Sequence, residues 1–157
     1  MILAYRIAVY LAANGCTHAY GVVSDESRTL MDAISKRMTL VTMLKENTCA
    51  LAAIHHFRVF GRIAPCIVTG DENALAVVSQ AHTEGIPLLV ISGNAQSRFD
   101  LIAPITKAAL RPDNALGASF ALQGLYKLAQ DAPQGPVWFD LPETIAAMDP
   151  ATEAAVA

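Results

Sequence analysis

Leu44-Lys45-Glu46-Asn47-Thr48-Cys49-Ala50-Leu51-Ala52-Ala53 is the stretch whose reading decides the fold. It follows a short apolar segment, Thr39 to Met43, read as a strand, and opens a helix that runs to about Phe60. Ala50, Leu51, Ile54 and Phe57 recur at helical spacing, so one face of that helix is buried. A strand that is apolar throughout is expected of a parallel strand covered on both faces. Glu46 falls in the first helical turn, where free backbone N–H groups and the positive dipole end favour an anion. That placement alone suits a solvated capping residue. It also sets a carboxylate at the carboxyl end of a parallel strand, where open α/β sheets bind ligands.

Outward from this stretch the same alternation repeats. Helices are expected over Leu3 to Asn14, Ser27 to Lys36, up to Glu84 after the Gly70 loop, and after Pro112-Asp113-Asn114. Strands are expected over His18 to Val22, Ala64 to Thr69, Pro87 to Ser92, Ile105 to Leu110 and Val137 to Leu141. Ser24 and Asp25 are placed to cap the second helix, and Asp71 and Glu72 to cap and charge the start of the fourth. Gly93 to Ala103 reads as irregular. The pattern predicts a three-layer α/β/α fold with a six-stranded parallel sheet and right-handed crossovers. It fills one domain over residues 1–146, leaving an Ala-rich tail, residues 147–157, that is expected to fray.

Of the 157 residues, 54% are hydrophobic and 16% charged, an apolar balance that points to surface buried against a partner. A net charge of -3 without any Lys/Arg run argues against nucleic acid. No apolar run reaches the ~20 residues that cross a bilayer. The apolar patch Ile7 to Ala13 reads as the first helix rather than an export signal, and the expected location is cytoplasmic. Cys16, Cys49 and Cys66 lack metal-ligand or CxxC spacing and are expected to be reduced and buried. His55 and His56 are adjacent, so they face different ways on the helix and make no metal pair.

Five further segments carry a resemblance. His18-Ala19-Tyr20-Gly21-Val22-Val23-Ser24 stands where a pattern "h-[VA]-[FY]-G-V-P-G" is expected. Lys45 to Gly61 matches "H-E-x-x-A-x-x-x-A-x-x-[YF]-[AS]-R-x-x-G" through Glu46, Ala53, Arg58 and Gly61. Ile86-Pro87-Leu88-Leu89-Val90-Ile91-Ser92-Gly93, Pro104-Ile105-Thr106-Lys107 and Gly135-Pro136-Val137-Trp138-Phe139-Asp140-Leu141-Pro142 follow in order. Together they resemble the N-terminal pyrimidine-binding (Pyr) domain of thiamine-diphosphate-dependent enzymes of the acetolactate synthase, pyruvate decarboxylase and benzoylformate decarboxylase kind.

The resemblance implies the thiamine-diphosphate-binding fold and a role for Glu46. The matching glutamate hydrogen-bonds N1′ of the cofactor's aminopyrimidine, whose 4′-imino group then deprotonates the thiazolium C2 that attacks a 2-oxo acid. Such a carboxyl group works in a dry crevice, where it shares a proton. By the same resemblance Val23, Ser24 and Asn73 bind cofactor, His82 lies on the substrate side, and Arg58 and Lys107 are structural. Several positions depart from the pattern. The family's "T-S-G-P-G-A-T-N" loop is reduced to Thr69-Gly70-Asp71-Glu72-Asn73, Lys45 replaces the His before the glutamate, and the loop after Gly93 is short.

The family's Mg²⁺-diphosphate segment, "G-D-G…N", belongs to a second domain and has no good counterpart here. The resemblance therefore implies a partner subunit that carries the diphosphate-binding (PP) domain and the Mg²⁺, with thiamine diphosphate shared between the chains. It also implies self-association through Pyr–Pyr helices. On this reading the chain is the pyrimidine-binding half of a split 2-oxo acid decarboxylase or carboligase. The alternatives are a non-catalytic dimerising or regulatory module of the same fold, and a stand-alone nucleotide or phosphate binder using the Gly70 loop and the start of the fourth helix.

Overall fold

The computed structural model describes residues 1–70, 72–94 and 96–155. Among these, six parallel strands alternate with helices: α1 (Leu3–Ala13), β1 (His18–Gly21), α2 (Arg28–Ser35), β2 (Thr39–Thr42), α3 (Glu46–Phe60), β3 (Cys66–Val68), α4 (Leu75–Glu84), β4 (Leu88–Ser92), α5 (Phe99–Ile102), β5 (Ala108–Leu110), α6 (Ala115–Gln130), β6 (Pro136–Asp140), α7 (Glu143–Ala146) and α8 (Pro150–Ala154). The sheet order is β2-β1-β3-β4-β6-β5. The expected three-layer α/β/α architecture with a six-stranded parallel sheet is what the structure has.

Alternate residues of the inner strands feed two cores, as period-two side-chain direction requires. Ile67, Leu89, Ile91, Val137 and Phe139 pack under α1, α2 and α6. Cys66, Val68, Leu88, Val90 and Trp138 pack under α3 and α4. The central strands β3, β4 and β6 are buried along their whole length, which is why they read as unbroken apolar runs.

The β2 strand departs from expectation. It is the sheet's edge, paired only with β1, and its residues are exposed or half-buried rather than covered on both faces. An apolar run alone does not separate an edge strand from a central one, and Thr39 and Thr42 are the polar ends that mark the edge. The α2 cap also differs. Neither Ser24 nor Ser27 caps the backbone with its side chain. Instead the Glu143 carboxylate, from 114 residues away, accepts from the Thr29 N–H at 3.2 Å and from the Thr29 hydroxyl. A short α5 and a 3-10 turn, Ala103–Ile105, occupy the end of the segment expected to be irregular, and β5 is correspondingly shorter.

The segment from residue 147 carries α8, capped by Asp149, with Pro150 buried against the fold and Glu153 accepting from the Leu116 N–H at 3.0 Å. Lys107 donates to the carbonyls of Leu128 and of Asp131, closing the C-terminus of α6. Arg58 pairs with Glu84 and ties α3 to α4. Both are structural contacts. No described helix is long and apolar enough to cross a membrane.

Candidate functional site at the carboxyl ends of the strands

Glu46 is the first residue of α3 and is only 3% exposed. Burial of a carboxylate is costly unless donors meet it. Thr69, just past the end of β3, supplies two: its backbone N–H lies 2.5 Å from Glu46 Oε1, and its hydroxyl donates to the same oxygen. A helix start and a strand end thus converge on one carboxyl group, and α3 adds the positive end of its dipole.

The carboxylate lies in a cavity of about 290 Å³ lined by Val22, Leu44, Lys45, Asn47, Thr69 and Asn73. Beside it, a second concavity of about 480 Å³ is lined by Ser24, Asp25, Glu26, Thr69, Gly70 and Asn94. Thr69 is common to both. Of the residues expected at the site, Glu46 and Asn73 share the first cavity, and Ser24 stands in its neighbour. Val23 is 70% exposed and faces a groove with Arg28 and Leu40; Val22 takes the place expected of it on the Glu46 wall.

His82 is not brought in. It lies in the last turn of α4, exposed, close in sequence to the start of β4. A crossover helix runs back to the amino ends of the strands, so this end of α4 is opposite the Glu46 crevice. His56 is buried while His55 is exposed, as adjacent positions on α3 require. His56 bonds the Tyr20 hydroxyl at 3.1 Å through Nδ1 and sits against His18 and Phe60, at the end of α3 remote from Glu46. Cys49 is fully buried, and burial, with the Glu46 charge second, pushes its thiol up to about 11, which makes it unreactive. Glu72 opens a 3-10 turn and lies 3.6 Å from Arg98, while Asp71 lies outside the described residues. Gln96 is exposed.

One group was missed by sequence reasoning. Asp140, at the end of β6, is 0% exposed and accepts four hydrogen bonds: Ser97 Oγ at 2.7 Å and Trp138 Nε1 at 2.8 Å on Oδ1, Arg111 Nε at 3.0 Å and Nη2 at 2.9 Å on Oδ2. Arg111 also lies over the Phe99 ring and donates to the Ser97 carbonyl at 3.1 Å. The signal was an acid inside an otherwise apolar strand, which demands partners.

Among the described residues there is no group of three or more His, Cys, Asp or Glu that could hold a metal ion. The arrangement offers a shielded carboxylate, fixed on one oxygen, in a small crevice edged by amides and an ammonium.

A family model described as "Thiamine pyrophosphate enzyme, N-terminal TPP binding domain" matches residues 1–113. A sequence comparison with curated proteins found no match. Among solved structures the chain is similar to a thiamine diphosphate-dependent 4-hydroxybenzoylformate decarboxylase of Rhodococcus jostii RHA1, with a TM-score of 0.84 and 18% sequence identity. The likeness covers 100% of this chain and 33% of that one, so the chain spans about a third of the decarboxylase's length. At that identity it establishes the fold alone. The family match over more than two thirds of the sequence carries the assignment: the chain belongs to the thiamine pyrophosphate enzymes, as their N-terminal TPP-binding, or Pyr, domain.

Proposed function

We propose that the chain is the pyrimidine-binding subunit of a split thiamine-diphosphate-dependent 2-oxo acid decarboxylase or carboligase. The observation that carries this reading is the burial of Glu46 in the strand-end crevice with Thr69 holding one of its oxygens. A protonatable group kept from bulk water can exchange a proton with a heterocycle nitrogen instead of with solvent. The residues present suit an aminopyrimidine: Glu46 for the ring nitrogen, and Asn73 and Val22 in the same cavity, with Ser24 in the neighbouring one, for the rest of the ring system. When bound, thiamine diphosphate supplies the carbanion stabilisation that a 2-oxo acid needs. The chain's own part is to keep Glu46 oriented and dry.

A diphosphate needs Mg²⁺ and well-placed oxygen ligands. On this reading they come from a partner that carries the PP domain. The exposed apolar side chains Leu44, Val59 and Phe60, at the two ends of α3, suit contact with further chains, including a second copy.

The test is reconstitution with a diphosphate-binding chain from the same source. The mixture should decarboxylate a 2-oxo acid where neither chain does, and Glu46→Gln should abolish turnover while the complex still forms. If the complex forms and Glu46→Gln changes neither turnover nor cofactor binding, the chain is a non-catalytic module of this fold.

A further inference from the structure

We propose that Asp140 is a positioning residue for Glu46, acting through the loops at the ends of β3 and β4. The inference rests on the reading that Glu46 is the working group of the site. The path is continuous. Asp140 Oδ1 accepts from Ser97 Oγ at 2.7 Å, and Ser97 Oγ lies 3.4 Å from Ser92 Oγ. Ser92 Oγ in turn accepts the Asn94 N–H at 3.1 Å. Ser92, Asn94 and Ser97 form a platform under Gly70: a Cβ built on Gly70 would lie 2.4 Å from Ser92 Oγ, 2.6 Å from Asn94 Cβ and 3.2 Å from Ser97 Oγ. Gly70 holds φ at +90° there, so the turn is seated by contact on one side and by its backbone on the other. The residue before it is Thr69, whose N–H and hydroxyl hold Glu46.

Asp140 has the properties of an anchor for such a path. It is fully buried, it gathers donors from the β6 strand, the loop after β4 and the segment after β5, and Arg111 balances its charge. A carboxylate so surrounded has one orientation. The influence of this network on Glu46 passes through the position of Thr69.

The experiment needs no cofactor. The Thr69 backbone amide of the isotopically labelled chain is followed by NMR, for proton shift and for hydrogen exchange. Glu46→Gln sets the reference displacement. Asp140→Asn should move the Thr69 resonance in the same direction and speed its exchange by about tenfold, the effect of losing one good hydrogen bond. The Tyr20 amide, bonded to the Pro65 carbonyl at 2.9 Å toward the other end of the sheet, should keep its wild-type rate. Ser97→Ala removes one hydroxyl and covers the case in which Asp140→Asn does not fold. It should shift Thr69 in the same sense, and Ser97→Thr should restore it.

An unmoved Thr69 in folded Asp140→Asn or Ser97→Ala overturns the proposal. So does equal acceleration of Thr69 and Tyr20, which marks a general loss of stability. The functional reading fails separately: the coupling can stand while Glu46→Gln leaves cofactor binding intact, and the reverse can also occur.

Discussion

Replacing Gly70 by Ala is expected to cost far more than the same change at Gly61, and the structure says why. Both glycines have positive φ, +90° and +67°. A Cβ at Gly61 meets nothing within 4 Å, so only backbone strain remains, about 1 kcal/mol. At Gly70 the added carbon would overlap Ser92 Oγ at 2.4 Å and Asn94 Cβ at 2.6 Å. Overpacking of this kind adds about 1–3 kcal/mol, for a total of about 2–4 kcal/mol. Equilibrium urea unfolding reads both, followed by the single tryptophan, Trp138, which is 0% exposed in the folded chain. With a slope of about 2 kcal/mol per molar urea, the midpoint should fall by ~0.5 M for Gly61→Ala and by ~1–2 M for Gly70→Ala. Equal losses for the two variants would refute the claim that the Gly70 turn is seated on the Ser92–Asn94 platform.

The remaining expectations concern other parts of the chain. Burial, and secondarily the charge of His18, holds the His56 imidazole below its ordinary value of 6.5, so the unfolded chain binds this proton first. Its contribution is present above about pH 6.5 and is lost as pH falls through the lower folded value; the stability of His56→Gln should therefore fall less than wild type between pH 7.5 and 5.5, and parallel curves would exclude the effect. Cys16 and Cys49 are pushed up to about 11 by burial, and Cys66 is also raised by its burial. At pH 8 about one in a thousand of the first two is thiolate, so a thiol reagent should react with all three cysteines only in urea; rapid labelling of the folded chain would contradict this. Asp140→Ala strips acceptors from the buried Trp138 indole and Ser97 hydroxyl and should cost about 3–5 kcal/mol by the same unfolding assay; a loss under ~1 kcal/mol would show that the network contributes little.

The fold was legible because its strands carry their own signature. Leu88 to Ser92 and Pro136 to Asp140 are buried on both faces and are apolar almost without interruption, while each helix shows one apolar stripe. Position put Glu46 at the crevice, since the first turn of a helix after a parallel strand faces it, but position alone suited a solvated cap equally, and its expected role came from the resemblance. The edge character of β2 was hidden because local composition does not reveal how many neighbours a strand has. Glu143 as the cap of α2 could not be seen either, because its partner Thr29 lies 114 positions away. Asp140 gave a hint in its surroundings, but its partners Ser97 and Arg111 come from two other loops. His82 was set on the substrate side by likeness to a pattern; the direction of α4 places it at the far end of the sheet.

The central claim is that a shielded Glu46 receives the cofactor's aminopyrimidine while another chain holds its diphosphate. The most direct measurement is calorimetric titration of thiamine diphosphate with Mg²⁺ into an equimolar mixture of this chain and a diphosphate-binding chain from the same source, repeated with Glu46→Gln. The account predicts saturable binding in the mixture, little in this chain alone, and a loss of affinity of at least tenfold in Glu46→Gln, about 1.4 kcal/mol or more. Identical isotherms for the wild type and Glu46→Gln would contradict it.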